Sequence, residues 1–176
     1  MYNMMKLFVL SMLCVSFVYA DTFQCKVTEV IDGNTFRCLT KANGRVNVRL
    51  YQINAPELDQ LYGQQAKQAL FDMIYEQNVQ IKITNTGRSK SGIVFTAPPD
   101  NCYAKFFFWG EKNLVCTFAS KEINLEMIKQ GYAWYDPFAQ TNREYQQAEW
   151  EARETKRGLW LDKNSIAPWA RKKGKK

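Results

Sequence analysis

Val30-Ile31-Asp32-Gly33-Asn34-Thr35 lies between two runs of alternating apolar residues, Cys25 to Ile31 and Thr35 to Leu39. An Asp-Gly pair flanked in this way predicts a tight hairpin, because such a turn twists in the same hand as the strands it joins. Arg45 to Ile53 predicts a third strand, stopped by Pro56, whose missing N–H bars it from a central ladder. Hairpin and strand end are thereby expected to converge on one rim, with Arg49 and Glu57 as its polar candidates.

Downstream, Asp59 is expected to cap a helix from Gln60 to Gln77, in which Ala66, Ala69, Leu70, Met73 and Ile74 recur at helical spacing. Val79 to Thr84 alternates as a strand. Thr86 to Cys102, with two glycines, two adjacent prolines and Asp100-Asn101, reads as a long loop. Tyr103 to Trp109 and Leu114 to Phe118 read as a strand pair. Ile123 to Gln130 reads as a short helix ended by Gly131. Thr141-Asn142-Arg143-Glu144 has the form of a capping box opening a helix to Arg157, closed by Gly158. No internal repeat or second domain is visible.

The chain has 176 residues and a formal charge of +7, with five basic residues among the last six, Arg171 to Lys176. That balance favours polyanionic partners, nucleic acid above all, although a basic tail alone also serves solubility. Lys6, the apolar run Leu7 to Val18 and the small-residue site Val18-Tyr19-Ala20 have the layout of a secretory leader. The expected organisation is a leader over residues 1–20, one domain over 21–170 and a basic tail over 171–176. The expected destination is the periplasm or the exterior, with no stable membrane insertion once the leader is removed.

Cleavage would leave Cys25, Cys38, Cys102 and Cys116, which allow three disulfide connectivities. The Asp32-Gly33 turn favours Cys25 with Cys38, and a turn near Gly110 favours Cys102 with Cys116. A four-cysteine zinc site is the rival, but the spacing lacks a close Cys-x-x-Cys pair. The sequence contains no histidine, which excludes a histidine triad and a histidine general base.

Several segments taken in order resemble the staphylococcal-nuclease-like (thermonuclease) family. They are Val-Ile-Asp-Gly-x-Thr at 30–35, Val48-Arg49-Leu50 and Ile-x-Ala-Pro-Glu at 53–57, then Tyr62-Gly63 with Ala66. Ile123-Asn124, Gly131-Tyr132-Ala133-Trp134, Ala152-Arg153, Gly158-Leu159-Trp160 and Pro168-Trp169 extend the likeness to the second half. The resemblance implies an α+β fold, a five-stranded OB-fold barrel with three helices. It also implies phosphodiester hydrolysis with one calcium ion, in which carboxylates hold the ion and a glutamate serves the attacking water. Two arginines clamp the phosphate. Arg49 and Glu57 match the first arginine and the glutamate.

Three positions depart from the family pattern. Asn34 and Asn54 stand where the family has metal-binding aspartates, so two charged ligands have become amides. Counting back from Ile123-Asn124 puts Glu111 over the second arginine, with Arg88 or Lys90 at the site under another register. Calcium affinity follows the number of charged ligands, so the metal site is expected to be weak and calcium to matter only if the chain is active. The aromatic Tyr135, with Arg88 and Lys112, are the candidates for nucleic-acid contact, although a packed ring is as reasonable for Tyr135. The expected function is a catalytically impaired, exported nuclease homologue that binds nucleic acid or an envelope protein. The alternative is an active calcium-dependent nuclease with an altered site.

Overall fold

A computed structural model describes residues 22–85, 90–96, 120–163 and 165–170. Five strands close into a barrel in the order β1-β2-β3-β6-β5. They are β1 (Thr22–Val30), β2 (Thr35–Thr40), β3 (Arg45–Leu50), β5 (Asn78–Asn85) and β6 (Lys90–Thr96). Three helices, α1 (Gly63–Ile74), α2 (Ile123–Lys129) and α3 (Arg143–Glu154), and a two-stranded pair, β4 (Ile53–Asn54) with β7 (Trp134–Tyr135), complete it. The α+β barrel with three helices implied by the resemblance is the fold observed.

Inward residues alternate along the strands. Cys25 and Val27 on β1, Phe36 and Cys38 on β2, Val48 and Leu50 on β3, Val79 and Ile81 on β5, and Val94 on β6 are buried. A bulge between Val27 and Glu29 shifts the phase of β1, so that Val30 also points inward. Cys25 and Cys38 form a disulfide across the hairpin. Cys102 and Cys116 lie outside the described residues, as do the leader, the basic tail and the expected strands Tyr103 to Trp109 and Leu114 to Phe118.

Four local expectations are corrected. The hairpin expected at Asp32-Gly33 forms, but its connection is longer than that pair, spanning Ile31 to Asn34, with the Ile31 and Asp32 N–H groups both donating to the Thr35 carbonyl. Gly33 serves close approach instead, since a Cβ there would lie 2.7 Å from the Ala66 Cβ and 2.8 Å from the Ala55 Cβ. Secondly, the strand from Arg45 breaks after Leu50. Gln52 takes a left-handed backbone (φ 62°), and Ile53–Asn54 leaves the barrel to pair with β7. Thirdly, α1 opens at Gly63 behind a left-handed Tyr62 with no side-chain cap, so Asp59 does not cap it. Fourthly, the stretch expected as a loop from Thr86 contains β6. This strand runs antiparallel to β5 and parallel to β3, and the barrel cannot close without it.

The α3 start is close to expectation. Asn142 is the cap, its side-chain oxygen accepting from the Glu144 and Tyr145 N–H groups, while Thr141 precedes it. Asn124 is fully buried at the start of α2 and ties the helix to the barrel. Its oxygen accepts from the Val94 N–H at 3.0 Å, and its nitrogen donates to the Tyr51 carbonyl at 2.9 Å and the Gly92 carbonyl at 3.2 Å.

Candidate active site

β3 and the hairpin loop build the centre of the site. Thr35 pairs with Arg49 across the β2–β3 ladder, and the Asn34 carbonyl accepts from the Leu50 N–H at 2.9 Å. That register brings the Asn34 side chain beside Arg49. Asn34 is only 4 % exposed. With its amide oxygen assigned toward the guanidinium, it accepts from Arg49 Nη2 at 2.9 Å and Nε at 3.1 Å, and its nitrogen donates to the Ile53 carbonyl at 3.3 Å. From the other side, Asn54 Oδ1 accepts from Arg49 Nη2 at 2.8 Å.

Two amide oxygens thus hold three of the five guanidinium N–H donors. The two protons on Nη1 have no partner among the described residues. Arg49 is exposed and forms no ion pair with Glu57, so the salt bridge often found between such neighbours is absent from this corner. Glu57 is itself exposed. Its backbone N–H donates to Gln60 Oε1 at 2.8 Å, and Gln60 Nε2 donates to the Ile166 carbonyl at 3.1 Å. One glutamine therefore ties the Glu57 turn to the C-terminal segment.

Arg49 opens on a cleft of about 340 Å³ that is also lined by Asn54, Ser91, Asp136, Phe138 and Gln140. Ser91 is the residue that β6 places opposite Arg49. Sequence reading missed it because the parallel β3–β6 register is a contact between segments far apart in the chain. Arg88, Glu111 and Lys112 lie outside the described residues. Lys90 stands over the Phe23 ring, 4.7 Å from its centroid.

The far wall is the segment from Asp136 to Gln140. The Gln140 carbonyl accepts from Tyr135 Oη at 2.7 Å and from Gln52 Nε2 at 2.9 Å. The Asn142 N–H donates to Tyr135 Oη at 3.1 Å. Tyr135 is buried, its ring edge-on to Tyr145. The ring that this wall presents to solvent is Phe138, 81 % exposed and edge-on to Trp169.

A resident calcium ion does not fit these donors. Calcium takes roughly six to eight oxygens, and charged ones set its affinity. Asn34 and Asn54 offer neutral oxygens already committed to Arg49. Asp32 Oδ1 accepts from the Asn34 N–H at 2.7 Å, which closes the hairpin loop. Among the described residues, no three Asp, Glu, His or Cys side chains gather into a metal-holding group.

A family model described as staphylococcal nuclease homologue matches residues 47–162. An uncharacterized endonuclease of Haemophilus influenzae is 34 % identical over 155 residues, covering 84 % of this chain and 72 % of that protein. The micrococcal nuclease of Shigella flexneri is 32 % identical over 156 residues, covering 86 % and 80 %. Protein ParB of Escherichia coli is 30 % identical over 149 residues, covering 82 % and 76 %.

Proposed function

The chain belongs to the staphylococcal nuclease homologue family, and from that membership we propose that it is an exported nucleic-acid-binding homologue in which phosphodiester hydrolysis is impaired. The observation that carries the reading is the corner where Asn34 and Asn54 both turn their oxygens onto Arg49. Carboxylates at these positions would supply the charge that a divalent ion needs, and amides do not. Arg49 binds a phosphate oxygen through Nη1, and Phe138 offers a ring on which an adjoining base stacks. The position that the resemblance gives to the second arginine falls on Glu111, outside the described residues, where a glutamate adds no positive charge for the transition state. Loss of a transition-state arginine costs about 10³–10⁵ in rate in phosphoryl-transfer enzymes.

Export is part of the same reading. The leader layout over residues 1–20 supports it, with the basic tail over 171–176 remaining on the mature protein. The Cys25–Cys38 disulfide suits an oxidising compartment. No helix among the described residues is long and apolar enough to cross a membrane.

Incubation of the mature protein with single- and double-stranded DNA and RNA, with calcium and with a chelator, tests the reading. Binding is expected without chelator-sensitive cleavage. A second reading, an active calcium-dependent nuclease, is favoured by the intact Arg49 at the strand end and Glu57 on the adjoining turn. Chelator-sensitive cleavage abolished by Glu57→Gln would establish it and overturn the first. Failure to bind any nucleic acid would point instead to a protein partner in the envelope.

A further inference from the structure

We infer that the Arg49 corner is a receptor for a phosphate oxyanion that works without a divalent cation, an inference that rests on the nucleic-acid reading above and specifies how its site operates. Arg49 with two neutral amides carries a formal +1, whereas two carboxylates in place of Asn34 and Asn54 would make the same trio −1. A trio of that sign repels phosphate until a cation is bound between them. The trio present here attracts phosphate directly.

Geometry supports the same conclusion. The amide oxygens fix the guanidinium on one edge through three hydrogen bonds, which lowers the entropy still to be lost when a ligand binds. The opposite edge keeps both Nη1 protons. Asn54 Nδ2 has no partner among the described residues, and it shares the cleft with Arg49 and Ser91. These are donors, as a phosphate diester requires. Asp136 lines the cleft with Phe138, and its Oδ1 accepts from the Phe138 N–H at 2.9 Å. A carboxylate there accepts from sugar hydroxyls or base amino groups, so the preferred ligand is a phosphate attached to a nucleoside.

The test uses a fluorescein-labelled single-stranded DNA 12-mer and fluorescence anisotropy, in EDTA and in calcium. Wild-type affinity is expected to agree within about twofold between the two conditions, and Arg49→Met to weaken binding about tenfold or more in EDTA. The double variant Asn34→Asp/Asn54→Asp is expected to lose about tenfold in EDTA and to recover in calcium. Asn54→Asp alone, at the half-exposed position, is the substitute if circular dichroism shows the double variant unfolded.

Wild-type binding that collapses in EDTA overturns the inference. So does EDTA-resistant binding that is indifferent to Arg49→Met, although this outcome leaves the nucleic-acid reading standing. An aspartate variant that binds in EDTA as well as wild type also overturns it. If no oligonucleotide binds under either condition, the nucleic-acid reading fails. Titration of inorganic phosphate in EDTA, followed at the Arg49 Nε–Hε NMR resonance, then decides the receptor question. A saturable shift sustains the receptor, and an unmoved resonance overturns it.

Discussion

The two walls of the cleft are built from similar groups and behave oppositely. On the Arg49 side, amide oxygens take up part of a cation's hydrogen-bonding capacity and leave the rest open. On the Gln140 side no donor is offered in the same way, and what lines the cleft is the Asp136 carboxylate and the Phe138 ring, carried on a bonded backing. Tyr135 Oη both donates and accepts, the Gln140 carbonyl accepts twice, and Gln52 is engaged through its side chain and through its carbonyl, which accepts from the Asp136 N–H at 2.9 Å. A backing whose polar groups, at Tyr135, Gln52 and Gln140, are joined to one another holds shape. A wall with donors left over, facing a cleft, holds ligand. The difference marks where chemistry should respond to mutation and where only stability should.

The largest effect is expected where α2 joins the barrel. Asn124→Ala removes three hydrogen bonds of a fully buried amide, two of them to carbonyls at Tyr51 and Gly92 that then lack this donor. A loss of about 2–4 kcal/mol is expected in urea unfolding. A loss under about 1 kcal/mol would show that water replaces the amide easily at this joint. Next in size is reduction of Cys25–Cys38, which bridges 13 positions. About 2–3 kcal/mol of stability should go, while oligonucleotide affinity at the far end of the hairpin stays within about twofold. Tyr135→Phe sharpens the contrast. It deletes the hydroxyl that donates to Gln140 and accepts from Asn142, so about 1–2 kcal/mol of stability is expected to be lost. If affinity falls more steeply than it does for Arg49→Met, the division between the walls is wrong.

The same contrast governs what the sequence made legible. The Arg49 wall comes from short-range patterns: an Asp-Gly hairpin, a strand halted by Pro56, and two asparagines inside recognisable motifs. Residue type alone therefore announced the missing charge. The Gln140 wall depends on features with no local signature. Gln52 adopts a left-handed backbone without being glycine, and its side chain and carbonyl are hydrogen-bonded to the segment from Asp136 to Gln140. Strand β6 was hidden because its seven residues lie among turn formers. Its inward residues, Gly92 and Val94, are too few to fix a period, and its partners are fixed by barrel closure rather than by neighbours in sequence. Ser91 entered the site only with that register. Phe138, like Tyr135, is an aromatic beside Pro137, and residue type alone does not tell their exposure apart. A hydroxyl seeking buried partners separates them, since it draws Tyr135 inward and leaves the purely apolar ring outside.

The smallest effect lies behind the satisfied wall, where the Tyr145 hydroxyl donates to Glu122 and the Tyr145 ring packs edge-on against Tyr135. Burial raises the Glu122 carboxyl above the usual carboxylate range, and the Tyr145 hydrogen bond only partly offsets it. Glu144 adds to the rise, while Lys129 and Lys82 oppose it. The folded protein therefore holds this proton more tightly than the unfolded chain does. Stability from this group is fully present below the unfolded pKa and declines as pH rises through the folded one. Glu122→Gln keeps an acceptor for Tyr145 and abolishes the titration. The variant is thus expected to gain on wild type as pH rises above the usual carboxylate range. Because Glu122 is only half-buried, solvent limits the gain to below about 1 kcal/mol. Urea melts of both proteins over that rise in pH measure it. A wild type that instead gains on the variant as pH rises would mean that the charge-assisted bond to Tyr145 outweighs burial. The backing of the satisfied wall would then depend on ionisation, and the two walls would differ less than their hydrogen bonds suggest.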